Sequence, residues 1–198
     1  PKTGIETVIV TQVADMHKPL KRTLMNFVIK KIKKMVPDFS IPGAIPFTSV
    51  LQKGKKSTFT ASHAPGMDDL AVLQYTGGTT GVAKGAMLTH KNLVSNMLQM
   101  QSILTNFEPG KETMITPLPM YHIFSFTVGC LAMMEMGAHN VLITNPRDIP
   151  AFVDEVSKWE FTGFMGLNTL FVALLNNKDF RNLDFRHLKL TVAGGMAL

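Results

Sequence analysis

The chain has 198 residues, 45% of them hydrophobic and 17% charged, with a formal net charge of +6 and a single cysteine. That balance fits a soluble globular protein with a sizeable core and excludes a low-complexity or disulfide-stapled chain, so a reducing, cytoplasmic setting is the expectation. The longest apolar run, Ile123–Met134, falls well short of the ~20 residues that span a bilayer. Both ends fall close to apparent structure, as expected of a piece of a longer protein.

Residues 1–67 are expected to form an N-terminal segment. Thr7–Thr11 alternates like a strand, and a helix is predicted from Pro19 to Val36. Leu20, Leu24, Val28, Ile32 and Val36 recur at every fourth position as one apolar ridge. Lys18, Lys21, Arg22, Lys30, Lys31, Lys33 and Lys34 crowd the same window. The ridge is expected to dock on the rest of the domain with its lysines in water. A basic amphipathic helix can also lie on an anionic membrane, so residues 19–36 are a candidate peripheral contact at the inner face of the membrane. Nucleic acid is not expected, because no aromatics alternate with the charges and no recognition motif is present. Residues 37–67, with prolines at 37, 42, 46 and 65, read as irregular connection.

Residues 68–198 alternate strand-like and helix-like patterns. This predicts an α/β fold with a mostly parallel sheet and flanking helices. Strands are predicted at Leu70–Tyr75, Thr113–Thr116, Val141–Thr144, Phe161–Met165 and Leu188–Ala193. A helix from His90 to Leu104 starts behind Thr89, whose hydroxyl can cap it. Further helices are predicted over His122–Met136, ended by Gly137; from a capping Asp148 to Lys158; and over Thr169–Leu175. Cys130 and the methionines at Met97–Met100 and Met133–Met136 are expected in the core.

Between the first of these strands and Thr89 stands Y-T-G-G-T-T-G-V-A-K-G, Tyr75–Gly85. Its glycines let the backbone approach a ligand closely, and its threonines and Lys84 add donors and positive charge. Consecutive backbone N–H groups in such a turn make an anion-binding concavity, which suits a polyphosphate. The spacing fits neither a Walker A loop nor G-x-G-x-x-G.

Thr76–Gly85 resembles the signature loop of the adenylate-forming superfamily. Two more segments follow in that family's order. Pro117–Phe124, P-L-P-M-Y-H-I-F, resembles its acyl- and pantetheine-lining motif, and Ala193–Leu198, A-G-G-M-A-L, resembles the glycine turn on which adenine lies. With I-T-N-P-R-D-I-P and G-L-N-T-L-F, the chain looks most like a fragment of the large N-terminal domain of bacterial long-chain fatty acid–CoA ligases.

The resemblance implies an enzyme that activates a fatty acid as acyl-AMP and passes it to coenzyme A, with ATP, Mg2+ and coenzyme A as cofactors or co-substrates. It implies that Thr76, Gly77, Gly78, Thr79, Thr80, Gly81 and Lys84 hold the phosphates, and that Gly194, Gly195 and Met196 hold the adenine. His122 is implied as the catalytic-site residue, a hydrogen-bonding gate near the acyl carboxylate. Tyr121, Phe124 and Phe126 are implied to line the acyl site. No metal ligand is expected on this chain, since the family's magnesium-holding glutamate would lie past Leu198, as would its C-terminal lysine. The isolated chain is therefore expected to lack ligase activity. The alternatives are an adenylating domain for an aryl or amino acid, or a non-catalytic lipid-binding relative. Oligomeric state is not legible.

Overall fold

A computed structural model describes residues 4–61, 64–76 and 83–195. The chain divides into two compact units, Pro1–Ala64 and Pro65–Leu198.

In the first unit β1 (Ile9–Val10) pairs in parallel with β2 (Ile45–Pro46). Pro19 opens α1 (Pro19–Phe27), where its missing N–H costs nothing. The helix runs on through wider i→i+5 turns over Val28–Ile32. It stops four residues short of the predicted Val36, because Lys34 takes a left-handed φ of 49° and turns the chain away. The connection after it is not wholly irregular: β2 and α2 (Phe47–Gly54) stand within it. Phe47, Val50 and Leu51 carry helical i, i+3, i+4 spacing that the flanking prolines obscured.

In the second unit β3 (Leu70–Thr76) and β4 (Lys84–Thr89) form an antiparallel hairpin. The sequence showed its first strand but not its second, whose K-G-A-M-L-T has no clean alternation. Thr89 then caps α3 (His90–Ile103) as predicted. Its hydroxyl accepts from Asn92 N–H at 3.3 Å, while Asn92 Oδ1 accepts from Thr89 N–H at 3.0 Å.

The main sheet is parallel throughout, with strands in the order β6 (His139–Leu142), β5 (Thr113–Thr116), β7 (Gly163–Gly166), β8 (Leu190–Ala193). The helix after β5 runs in wide turns over Ser125–Ala132 and closes as α4 (Met133–Glu135), and Gly137 at φ 66° ends it. Asp148 caps α5 (Ile149–Val156) by accepting from Ala151 N–H. After α6 (Asn168–Leu175) a short α7 (Lys178–Arg181) begins at once, with Asn177 capping it. β6 sits two residues earlier than predicted.

Side chains alternate across this sheet. Ile115 and Phe164 join Phe152, Val156 and Leu174 under α5 and α6, while their neighbours Met114 and Met165 join Val128, Ala132 and Met133 on the opposite face. Both faces are covered, as parallel sheets require. The methionine prediction holds for Met133 and Met136, which are buried; Met97 and Met100 are half-buried against the same cluster, and Met134 is exposed, against the prediction. Cys130 does not fit its prediction. It is half-buried, with its Sγ 3.6 Å from Met134 Sδ.

Gly129 sets the distance between that helix and the sheet. A Cβ there would lie 2.8 Å from Met165 Sδ and 3.0 Å from Thr116 Cγ2. Only a bare Cα permits so close an approach.

Candidate active site

In an open parallel sheet, ligands bind beyond the carboxyl ends of the strands, where the strand order reverses. Here the chain passes from β5 to β6 on one side and returns to β7 on the other, so the reversal lies between β5 and β7. The segment leaving β5 is Pro117–Phe124, and the turn leaving neighbouring β8 is Gly194–Gly195. Two of the motifs singled out in the sequence therefore emerge at the same edge.

The two motifs touch. A Cβ on Gly194 would stand 3.2 Å from the Phe124 ring, and one on Gly195 would stand 3.5 Å from Cε1 of His122. Gly195 also has φ 82°, which favours glycine independently. The turn bearing His122 is held by its own backbone. His122 N–H donates to Pro119 O at 2.9 Å, and His122 O accepts from Phe126 N–H at 2.9 Å. His122 Nδ1 accepts from Phe124 N–H at 3.3 Å, so the ring hydrogen sits on Nε2, beside Gly195. The arrangement presents one N–H donor against a bare backbone turn.

The third motif connects through a residue that the sequence reading passed over. Gln74 Nε2 donates to Tyr121 O at 3.4 Å and to Tyr75 O at the same distance. This ties the strand entering the glycine loop to the turn carrying His122. Its signal was an amide within the otherwise apolar run Leu70–Tyr75. Ser125 was missed as well. Fully buried, it donates to Leu118 O at 3.0 Å and anchors the start of the helix to the loop before it.

The glycine loop is framed by backbone pairing of Thr76 with Lys84 and of Tyr75 with Gly85. The Tyr75 ring lies against Gly85, 3.3 Å from where a Cβ would be. Lys84 begins β4 with its side chain exposed. Gly77, Gly78, Thr79, Thr80, Gly81 and Met196 lie outside the described residues. Of the expected acyl-lining residues, Phe124 is half-buried and borders an open, mainly apolar groove of about 480 Å³ with Leu88, Leu93, Met100, Thr127 and Val128. Phe126 is half-buried but does not border that groove. The Tyr121 side chain is 82% exposed, and its backbone carbonyl makes the link to Gln74. Among the described residues no three His, Cys, Asp or Glu side chains gather closely enough to hold a metal ion.

Residues 2–198 match the family model described as AMP-binding enzyme. The chain is 50% identical over 196 residues to a long-chain-fatty-acid–CoA ligase of Salmonella typhimurium, covering 98% of this chain and 35% of that protein. It is 48% identical over 199 residues to the ligase of the same name from Haemophilus influenzae, again 35% of that protein. Apo MatB from Rhodopseudomonas palustris superposes with a TM-score of 0.60 at 26% identity, over 96% of this chain and 35% of MatB. The anthranilate CoA ligase AuaEII, in complex with anthranoyl-AMP, gives a TM-score of 0.69 over 97% of this chain and 36% of its own, and at 20% identity it speaks to the fold alone. The chain thus spans about a third of the length of the curated relatives it matches. From its matched span and its fold, the chain belongs to the AMP-binding enzyme family.

Proposed function

We propose that this chain is the part of a long-chain fatty acid–CoA ligase that brings the acyl carboxylate to ATP. The observation that carries this reading is the contact of His122 and Phe124 with Gly194–Gly195 at the reversal point of the sheet. In the first half-reaction a carboxylate oxygen attacks the α-phosphorus of ATP, giving acyl-AMP and pyrophosphate. In the second, the coenzyme A thiol attacks the acyl carbonyl and AMP departs. A carboxylate is a weak nucleophile, so catalysis rests on holding it in line and on donors where charge develops.

In this reading Thr76–Lys84 cradles the phosphates, Gly194–Gly195 carries the adenine, and His122 Nε2–H holds a carboxylate oxygen. The apolar groove beside Phe124 takes the start of the acyl chain. Among the described residues that line it there is no carboxylate for an ammonium group, which weighs against an amino acid substrate. Mg2+ would neutralise phosphate charge, and among the described residues no cluster of side chains would cage it.

The test is thioester formation by the full-length protein across acids of increasing chain length. Long-chain acids are expected to be preferred, and the 198-residue chain alone is expected to give no product. Preference for an aryl or amino acid, or turnover by the isolated chain, would overturn the reading.

A further inference from the structure

The first unit carries the chain's entire excess of positive charge. Residues 1–64 hold eleven Lys or Arg against three Asp or Glu, a formal +8, whereas residues 65–198 sum to −2. Seven of those eleven lie between Lys18 and Lys34, and all but Arg22 are exposed. Among the described residues none of the seven is paired with a carboxylate.

The same helix presents an apolar ridge outward. Leu20, Leu24 and Phe27 follow at i, i+4 and i+7 and are 85%, 62% and 56% exposed. The opposite face is the one that packs. Met25, Asn26 and Ile29 are half-buried there, and Asn26 Oδ1 accepts from Ala14 N–H at 3.1 Å. Ile32 at the helix end and Met35 beyond it extend the exposed apolar surface, with Lys30, Lys31, Lys33 and Lys34 around them. This corrects the sequence reading of the ridge: Val36 is off the helix, Val28 is half-buried, and Phe27 takes its place.

We propose that the Pro19–Ile32 helix docks on an anionic lipid surface, laying Leu20, Leu24 and Phe27 into the headgroup boundary with the lysines on headgroup phosphates. Charge decides the occupant. Protein–protein interface cores are depleted in lysine, whereas a narrow apolar stripe flanked by lysines suits an interfacial helix. Three apolar side chains make a shallow, reversible contact, so the cations must supply much of the affinity. Each lysine near such a surface strengthens binding about fivefold, and four together by a hundredfold or more.

The experiment is co-sedimentation of the full-length protein with vesicles of phosphatidylcholine alone or mixed with phosphatidylglycerol, without substrates. The outcome is therefore independent of the ligase reading. Binding is expected only to the anionic vesicles, and weakens with added salt. Replacing Lys30, Lys31, Lys33 and Lys34 by Gln, all of them exposed, should lower partitioning by a hundredfold or more with the melting temperature unchanged. Leu20→Gln with Leu24→Gln should do likewise. Equal binding to both vesicle types, or wild-type binding by the lysine variant, would overturn the proposal. So would a lipid-free loss of melting temperature in the leucine variant, which would show that another segment of the protein covers the ridge.

Discussion

Glu112 buries its carboxylate just before β5 and meets Lys189, which leads into β8, with Nζ 2.8 Å from Oε1. Burial opposes its ionisation. Hydrogen bonding from Lys189 and from the Glu108 amide prevails and holds the carboxyl below its ordinary value of 4.5. A carboxyl with a lowered folded-state pKa binds its proton more weakly than in the unfolded chain. The pair therefore stabilises the fold fully above about pH 4.5 and loses that contribution as pH falls through the folded value. Lys189→Met strands a buried charge and is expected to cost about 3–5 kcal/mol near neutrality, with a smaller difference from wild type in acid. Denaturant midpoints measured across pH in the full-length protein check both. Nearer the site, Gly195→Ala forces a side chain into φ 82° and against the His122 ring. It should cost about 1–2 kcal/mol and weaken ATP binding, read by melting temperature and by ATP titration.

At the scale of elements, the legible features were those whose signal is local. Thr89 and Asp148 announce helix starts because a short polar side chain can take an orphan N–H, and both do so. Thr113–Thr116 matches its predicted bounds to the residue. The features that escaped depend on partners distant in sequence. β4 is a strand only because β3 lies opposite, across a connection too long to signal a tight hairpin. Cys130 misled because the expectation of burial rested on residue type in an apolar run and not on its position around the helix. Gly129 showed nothing in sequence of its role as the contact between that helix and the sheet. Gly129→Val is expected to destabilise the full-length protein by about 1–3 kcal/mol, since both Met165 and Thr116 would have to give way, and a shift in denaturant midpoint measures it.

At the scale of the molecule, the sequence held the three motifs and their order but not how they meet. The strand order puts Pro117–Phe124 and Gly194–Gly195 at one edge, and Gln74 connects the hairpin to them. That convergence distinguishes a site from three separate matches. The part of the phosphate loop between Gly77 and Val82 was legible from its glycines and threonines and from the resemblance, and lies outside the described residues. Under the proposed function, His122 serves the acyl carboxylate beside the Gly194–Gly195 turn. The most direct measurement is acid-dependent exchange of labelled pyrophosphate into ATP by the full-length protein, wild type against His122→Ala. Exchange is expected to require a long-chain acid and to fall about a hundredfold in the variant with the KM for ATP little changed. Exchange at the wild-type rate in His122→Ala, or exchange without any long-chain acid, would contradict the account.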